Sequence, residues 1–329
     1  MGAAQALSVT TVSVALATYN GARYVEEQVR SILAQDPAPT QLVVADDGST
    51  DGTLDLVRAV AAEFPTTALT VLPPERAPLR VAGNFARAIA AATGDLVALS
   101  DQDDRWHPGR LASLVARFDA EPALLLLHHD AELIDAAGAP LGERLLDWLR
   151  VGERERRLLA GPQAFTAAIR RNTATGATVV FRRALREQAL PIGPGWIHDE
   201  WFAAIAAAQG RSRLDERALV DYRQHGANEI GVARPTLRHL VRRMLEPRGD
   251  RYGWLSERSD ALVARLEALG ITGPPLDLAR RKAAFERARA AYPASRPARL
   301  PAVLARRADY AELSSQGRLD IVRDLMHRA

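Results

Sequence analysis

The chain has 329 residues, 47% of them hydrophobic and 25% charged, which is an ordinary composition for a globular protein with room for about two domains. It contains no cysteine, which excludes a disulfide framework and a thiolate metal site. No stretch approaches the ~18 consecutive apolar residues of a membrane span, and the N-terminus lacks the pattern of a signal peptide, so we expect a cytoplasmic protein.

The net charge of +3 is unevenly distributed along the chain. Residues 234–329 hold 20 Lys+Arg and 11 Asp+Glu, whereas residues 1–233 carry a net charge of −6. Such asymmetry can mark an anionic partner such as a membrane surface, and it is equally typical of a solvated helical face rich in arginine. No nucleic-acid-binding motif accompanies the basic segment, so we expect no nucleic-acid partner.

The first 130 residues alternate short apolar runs with segments of helical periodicity. Strands are predicted at 12–16, 42–45, 69–72, 96–99 and 124–127. Helices are predicted between them at 25–33, 54–61, 84–92 and 108–118. Strands alternating with helices of this length predict right-handed βαβ units and a mostly parallel sheet flanked by helices, which is an α/β fold.

The pattern becomes less regular beyond residue 160 and then turns helical. A helix is predicted at 165–170, a strand at 177–181 and an alanine-rich helix at 199–209. Further helices are predicted at 236–245, 254–269, 276–291 and 319–327, with connectors at 271–275 and at the proline-rich 293–301. We therefore predict two domains, an α/β domain at 1–233 and a basic helical region at 234–329.

Polar segments follow the predicted strands. Residues 100–104, Ser-Asp-Gln-Asp-Asp, gather three carboxylates where the strand at 96–99 ends. Open α/β sheets bind ligands at the carboxyl ends of their strands. Crowded carboxylates repel one another unless a hard cation lies between them, and Mg²⁺ is typically held by one or two carboxylates plus substrate phosphates. This segment predicts a metal–diphosphate site.

A second polar segment, DDGSTDGT at 46–53, ends the strand at 42–45 and begins a helix. An aspartate at this position can accept the N3–H of a uracil or thymine base, and backbone amides at a helix start can meet a ribose or phosphate. The alternative is that Asp51 or Ser49 caps the helix, which leaves Asp46 and Asp47 unexplained. A third segment, ATYNG at 17–21, follows the first strand.

Four ordered segments resemble the family 2 glycosyltransferases of GT-A fold, in particular their rhamnosyltransferase-like branch. They are ALATYNGARYVEEQVRSIL, VVADDGSTDGT, AGNFARAIAAATGDLVALSDQDDRW and HDEWFAAIAA…YRQHGANEIG, within residues 9–231. The resemblance implies a Rossmann-like GT-A domain with a C-terminal helical extension. It also implies an inverting enzyme that uses a divalent metal, Mg²⁺ or Mn²⁺, and a nucleotide-diphosphate sugar donor.

The resemblance also implies roles for the residues that match its motifs. Thr18, Tyr19 and Asp47 would line the nucleotide pocket, with Asp47 pairing with the base. Asp101 and Asp103 would form the Asp-x-Asp element, which contacts the ribose and the divalent metal.

Asp199 matches the general base that removes the proton of the acceptor hydroxyl. Two alternatives stay open at this point: Asp199 is a helix N-cap, or Glu200 is the base in its place.

Four further residues have a functional and a structural interpretation each. His225 ligates the metal or the diphosphate, or is simply solvated. Arg223 clamps phosphate oxygens, or forms a surface ion pair. Asn84 contacts the donor sugar or ribose, or caps a helix. Gly176, with Asn172, lies where the family places the floor of the donor-sugar pocket, or is a turn residue.

The leading donor implied by the resemblance is dTDP-L-rhamnose, and the acceptor is a glycan, a lipid-linked saccharide or a glycosylated natural product. A UDP-hexose donor and a non-catalytic nucleotide-sugar-binding protein are the alternatives. Trp196, on a loop, could stack on a sugar ring or pack in the core. The basic helical region could lie peripherally on the inner face of the cell membrane, form a homodimer, or close over the acceptor.

Two other enzyme classes fit the sequence less well. A haloacid-dehalogenase-type phosphatase also places Asp-x-Asp after a strand, but after the first strand of its domain and not the fourth. A dinucleotide-linked oxidoreductase places Gly-x-Gly-x-x-Gly after its first strand, and this chain has no such motif there.

Overall fold

The computed structural model describes residues 10–225 and 251–326, which fall into two compact units. The first unit contains residues up to 149 together with 174–190 and 214–224, and the second contains 150–173, 191–213 and the remainder of the chain. The predicted domain boundary at 233 and the predicted helix at 236–245 lie outside the described residues and stay predictions. The second unit draws on segments from both sides of that boundary.

The first unit is built on four parallel strands in the order β3-β2-β1-β4. They are β1 (Val12–Thr18), β2 (Gln41–Asp46), β3 (Ala68–Val71) and β4 (Leu96–Ser100). β1, β2 and β4 are buried along almost their whole length, and their unbroken apolar runs are what strands covered on both faces require. The strands predicted in the first hundred residues are confirmed.

Beyond β4 the sheet continues in the order β8-β6-β9-β5, with β7 beside β6, and β8 pairs antiparallel with both β4 and β6. These strands are β5 (Arg105–Trp106), β6 (Leu126–Ile134), β7 (Pro140–Arg144), β8 (Val179–Arg182) and β9 (Ser212–Arg223). The sheet is therefore mixed, with β8 antiparallel between β4 and β6, so that β6 runs in the same direction as the first four strands. The change of direction occurs where β8 pairs antiparallel with β4.

Amphipathic helices cover this sheet. They are α1 (Val25–Leu33), α2 (Thr53–Ala62), α3 (Arg80–Ala91), α4 (Arg110–Ala120), α5 (Leu145–Trp148) and α8 (Arg183–Ala189). In α1, Val25, Val29 and Ile32 are buried at helical spacing and share a core cluster with Val14 and Leu16 of β1. α3 packs against β1 and β2, so helices and parallel strands together fix the carboxyl edge of the sheet.

The second unit is helical. Its helices are α6 (Glu153–Leu159), α7 (Ala164–Ala168), α9 (His198–Ala208), α10 (Arg251–Ala268), α11 (Pro274–Ala290), α12 (Arg296–Ala305), α13 (Arg307–Leu313) and α14 (Arg318–Met326). α7 packs against α9, and α10 packs against α11. Within the described ranges, every helix is too short or too polar to cross a bilayer.

Part of the positive charge of residues 234–329 is internal. Arg289 is 3% exposed and holds the Asp324 carboxylate through Nε and Nη2 at 2.7 and 2.9 Å, while Tyr252 and Tyr310 donate their hydroxyls to the same group. Burial opposes ionisation of Asp324, but the hydrogen bonds from Arg289 hold the pKa of this carboxyl below its usual range. Arg299 is also fully buried. The net charge of this segment therefore overstates its surface charge.

The proline-rich stretch at 293–301 is not the connector that the sequence predicts. Helix α12 begins at Arg296, with Pro297 in its first turn, and Pro301 lies inside it. Proline is tolerated in a first turn because the backbone N–H groups there have no intrahelical partner. The predicted connector is therefore wrong for residues 296–301, which are helical.

Two adjacent buried histidines of β6 are expected to make the protein less stable in mild acid. His128 and His129 are 2% and 1% exposed. Burial lowers the pKa of His128 to about 4, and burial together with the charge of Arg110 lowers the pKa of His129. Because the unfolded chain binds protons near pH 6.5 and the folded chain does not, this stability is complete above pH 6.5 and is lost as the pH falls towards 4.

We expect each histidine to remove about 1 kcal/mol of unfolding free energy per pH unit below 6.5. Urea unfolding at pH 7.5 and 5.5 measures the effect, with His128→Leu as the comparison because it removes the titrating group and keeps an apolar side chain. Equal pH slopes for the wild type and this variant would contradict the assignment.

Candidate active site

The ends of β1 and β2 are joined by side-chain hydrogen bonds. Thr18 and Asp46 lie opposite each other in the strand register, and Thr18 Oγ1 donates to Asp46 Oδ2 at 2.7 Å. Asp46 Oδ1 accepts the backbone N–H groups of Gly48 and Ser49 at 3.0 and 2.8 Å. Asp46 is buried, so this carboxylate organises the turn after β2 from within.

The loops that follow β1 and β2 are also bonded to each other. The backbone N–H of Asn20 donates to Ser49 Oγ at 2.8 Å, and that of Thr50 donates to Asn20 Oδ1 at 2.9 Å. Asp51 accepts the N–H of Ala22 at 3.0 Å and that of Thr53, the first residue of α2, at 3.1 Å. The N-cap of α2 is Gly52, so neither Asp51 nor Ser49 is the N-cap, although the Asp51 side chain accepts the N–H of the first helical residue.

Gln102 ties the segment after β4 to the segment after β1. Its Oε1 accepts the backbone N–H of Tyr19 at 2.8 Å, and its Nε2 donates to the Tyr19 carbonyl at 3.0 Å. A Cβ on Gly21 would collide with the same Gln102 side chain, so this close approach requires glycine. No local pattern of residues assigns a role to Gln102, although it is the central residue of the Asp-x-Asp element.

We call residues 101–104 the acidic loop. Asp101 and Asp103 are half-buried, whereas Asp104 is fully buried. Burial, and then the charges of Asp103 and Asp101, raise the pKa of Asp104 well above its usual value. The three carboxylates therefore differ in burial: Asp101 and Asp103 lie at the surface of the loop, and Asp104 is directed into the protein.

Arg223, at the end of β9, donates hydrogen bonds to the acidic loop. Its backbone N–H donates to Asp104 Oδ1 at 3.0 Å, its Nε donates to the Asp103 carbonyl at 2.7 Å, and its Nη2 pairs with Glu27 at 2.6 Å. Arg223 does form an ion pair, with the exposed Glu27, but its own side chain is 2% exposed and therefore buried. The proposed contact with phosphate stays a prediction.

Three of the predicted nucleotide-binding residues lie at this edge of the sheet. Tyr19 is 58% exposed. Asp47 accepts the backbone N–H groups of Leu79 and Arg80 at 2.7 and 2.9 Å, and its carboxylate has further lone pairs for a base N–H. Asn84 is buried inside α3 and donates to the carbonyl of Ala45 at 2.7 Å, so it is not the helix cap considered as an alternative.

The acidic loop suits a hard divalent cation. Asp101 and Asp103 offer carboxylate oxygens, which Mg²⁺ and Mn²⁺ prefer, and their charges are close enough to raise the pKa of Asp104. A bound cation would relieve this repulsion. The donor set therefore fits the predicted metal.

A second group of potential ligands, His107, Glu132 and Asp221, lies within 4.8 Å in the described residues. Arg105 Nε and His107 Nε2 already engage Asp221 at 2.7 and 2.6 Å. The hydrogen bond to Asp221 raises the pKa of His107, which favours the protonated imidazole that cannot coordinate a metal. We interpret this group as an ion-pair cluster linking β5 to β9.

Gly176 and His225 are both at least half-buried. Gly176 is buried in a single 3₁₀ turn, Gly176–Thr178, just before β8. His225 is half-buried. Their donor-sugar and metal roles stay predictions.

Asp199 belongs to the second unit, where it is the second residue of α9 and is 5% exposed. The N-cap of α9 is Ile197, so the N-cap alternative for Asp199 is wrong. Asn172 Nδ2 donates to Asp199 Oδ1 at 3.2 Å. The neighbouring Glu200 pairs with Arg258 at 2.6 Å, a bond that a proton-accepting carboxylate would have to give up.

Comparison with known proteins identifies the family. The family model described as "Glycosyl transferase family 2" matches residues 13–184, which include β2 to β4, all but the first residue of β1, and the acidic loop. The chain belongs to glycosyl transferase family 2. An uncharacterized glycosyltransferase of Nostoc sp. is 29% identical to this family 2 member over 221 residues, 66% of each chain. The dTDP-rhamnosyl transferase RfbG of Shigella flexneri is 31% identical over 103 residues, 30% of this chain and 35% of that protein.

The family 2 chain spans less than two thirds of the length of either relative. Among solved structures, the mannosyltransferase PcManGT of Pyrobaculum calidifontis, in complex with GDP-Man and Mn²⁺, aligns with a TM-score of 0.50 at 24% identity, covering 92% of this chain and 76% of that one. The predicted fold class, α/β of GT-A type with a helical C-terminal region, is confirmed.

Proposed function

We propose that this family 2 chain is a metal-dependent, inverting glycosyltransferase. It moves a sugar from a nucleotide-diphosphate donor to a hydroxyl of a glycan, a lipid-linked saccharide or a natural-product acceptor. The observation that carries the proposal is the acidic loop at the end of β4, because Gln102 and Arg223 hold its backbone in place from two sides. Such fixed carboxylates at the carboxyl edge of an α/β sheet suit a charged ligand.

The first unit supplies donor binding in this proposal. Thr18, Tyr19 and Asp47 bind the nucleotide, and Asp101 and Asp103 hold the metal near the diphosphate. A divalent cation bound by these carboxylates would supply Lewis-acid chemistry and would neutralise negative charge of the diphosphate. Further donor or metal contacts are proposed for Asn84, Gly176, Arg223 and His225.

The second unit supplies the base in this proposal. Asp199 removes the proton of the acceptor hydroxyl as that oxygen attacks the anomeric carbon from the face opposite the diphosphate. A glycosidic C–O bond forms, the bond from the anomeric carbon to the diphosphate breaks, and the configuration inverts. Orientation of both substrates and proton removal by a positioned carboxylate lower the barrier.

We propose dTDP-L-rhamnose as the donor, supported by the similarity of part of the chain to an enzyme named as a dTDP-rhamnosyl transferase. Peripheral membrane contact of the basic helical region and homodimer formation stay predictions.

Release of free nucleotide diphosphate from dTDP-, UDP- and GDP-sugars, with Mg²⁺ or Mn²⁺ and with EDTA, tests the proposal. We expect slow hydrolysis of dTDP-rhamnose that EDTA abolishes. Faster hydrolysis of a UDP-hexose would replace the donor and keep the class. If no donor is hydrolysed, calorimetry with each donor separates an enzyme that requires its acceptor from a protein that binds no nucleotide sugar, and the latter result contradicts the proposal.

A further inference from the structure

The second unit contains a cavity of about 320 Å³ that lies entirely within its own helices. Residues from the end of α7, the start of α9, α10 and α11 line it. Its volume falls within the ~300–1,000 Å³ range of small-molecule sites. The basic helical region thus contributes directly to a pocket.

The lining of this cavity is strongly cationic. Five basic side chains reach it, Arg170, Arg171, Arg251, Arg258 and Lys282, against one carboxylate, Glu200. Lys282 is the single lysine of the chain. A pocket whose lining carries more positive than negative groups attracts anions, because its low-dielectric walls focus the field.

Protein carboxylates neutralise these cations unequally. Glu155 holds Arg171 at 3.0 and 2.6 Å, and Glu286 holds Lys282 at 2.7 Å. Arg170 differs: in the part of the chain that the structure describes, its Nε meets only the Ser314 carbonyl, at 3.4 Å. Its positive charge is the one that a ligand is best placed to neutralise.

One wall of the cavity is aromatic and rigid. The Arg258 guanidinium lies 4.0 Å from the ring centre of Trp196 and 4.9 Å from that of Trp254, and Trp196 Nε1 donates to the Arg258 carbonyl at 2.7 Å. A Cβ on Gly195 would lie 2.8 Å from Trp254 Nε1, so glycine permits this approach. Trp254 is 41% exposed, which leaves an indole surface suited to the apolar side of a sugar ring.

The cavity adjoins Asp199. Asn172 lines it and donates to the Asp199 carboxylate, and Glu200, the residue after Asp199, lines it as well. A ligand in the cavity would therefore lie next to the residue that we propose as the base.

We infer that this cavity is the acceptor subsite and that the acceptor carries a phosphate group beside the sugar that is glycosylated. The inference rests on the proposed function. Phosphate is favoured because it can carry two negative charges and several acceptor oxygens, which matches cationic donors converging from different helices. A polyprenyl-linked saccharide and a soluble sugar phosphate share this chemistry.

Calorimetry on the full chain in EDTA tests the inference, since the acidic loop cannot hold a diphosphate through a cation under that condition. The probes are glucose 1-phosphate, methyl glucoside, glucuronate, and phosphatidylcholine vesicles with or without polyprenyl phosphate. We expect glucose 1-phosphate to bind and methyl glucoside not to bind. Arg170→Gln should weaken binding about 10- to 100-fold, because a hydrogen bond to a charged group is lost.

Arg307→Gln is the matched control, because it removes the same charge from an exposed position of the same unit. Arg170→Lys, which keeps the charge, should retain most of the binding. Tighter binding of polyprenyl phosphate vesicles than of glucose 1-phosphate would identify a lipid-linked source, and the reverse a soluble one. Both outcomes support the inference.

Three results would overturn it: equal binding of methyl glucoside, a preference for glucuronate, or equal losses in Arg170→Gln and Arg307→Gln. Binding needs no turnover, so failure here leaves donor hydrolysis by the wild type untouched. Conversely, if the protein bound glucose 1-phosphate but hydrolysed no donor and bound none, the proposed function would be contradicted and the anion-binding pocket would still stand.

Discussion

Asp103→Asn is expected to lower metal-dependent turnover by about 10³-fold or more while the fold stays intact. Lewis-acid stabilisation of a leaving group is worth several kcal/mol, and about 4 kcal/mol corresponds to 10³ in rate. The fold should survive because the Asp103 side chain is half-buried at the loop surface, and its backbone carbonyl, which Arg223 holds, is unchanged.

Donor hydrolysis as a function of Mg²⁺ or Mn²⁺ concentration measures this effect, and a thermal melt checks the fold. Asp55→Asn is the matched control, because Asp55 is a highly exposed aspartate of α2. A variant that melted at much lower temperature would indicate a structural role for Asp103. Unchanged metal dependence would place the cation elsewhere.

Asp199→Asn is expected to keep donor binding and to lose transfer by ~10²–10⁴-fold, the usual contribution of a general base. The change is nearly isosteric. An asparagine oxygen can still accept the Asn172 hydrogen bond, so α9 and its surroundings should be preserved. Transfer to an acceptor and calorimetry with the donor separate the two effects.

Glu200→Gln is the comparison for the base assignment. Because Glu200 is paired with Arg258, we expect its replacement to disturb the cationic cavity and to leave proton removal with Asp199. If Asp199→Asn retained transfer and Glu200→Gln lost it with donor binding unchanged, the base would be Glu200. A pH–rate profile of each variant distinguishes loss of a titrating base from a change of binding.

Much of the fold could be predicted because its signals are local. β1, β2 and β4 are buried on both faces, so each is a short apolar run that the sequence displays directly. β6 was predicted only at its first residues, since His128, His129 and Asp130 read as polar although the sheet buries all three. β9 was missed because its 12 residues do not keep a strict alternation of apolar and polar side chains.

The sequence by itself determined the order of strands and motifs and the residues at the carboxyl edge of the parallel sheet, because apolar runs and the turns that follow them are properties of neighbouring residues. Only the tertiary structure decided what holds the acidic loop. Gln102 reaches Tyr19 across 83 positions and Arg223 reaches Asp103 across 120, and no local pattern encodes such pairings. The tertiary structure also decided which carboxylates are buried. Asp46 and Asp104 are buried, whereas Asp47 and Asp103 are more exposed, because burial is set by segments that are distant in the chain.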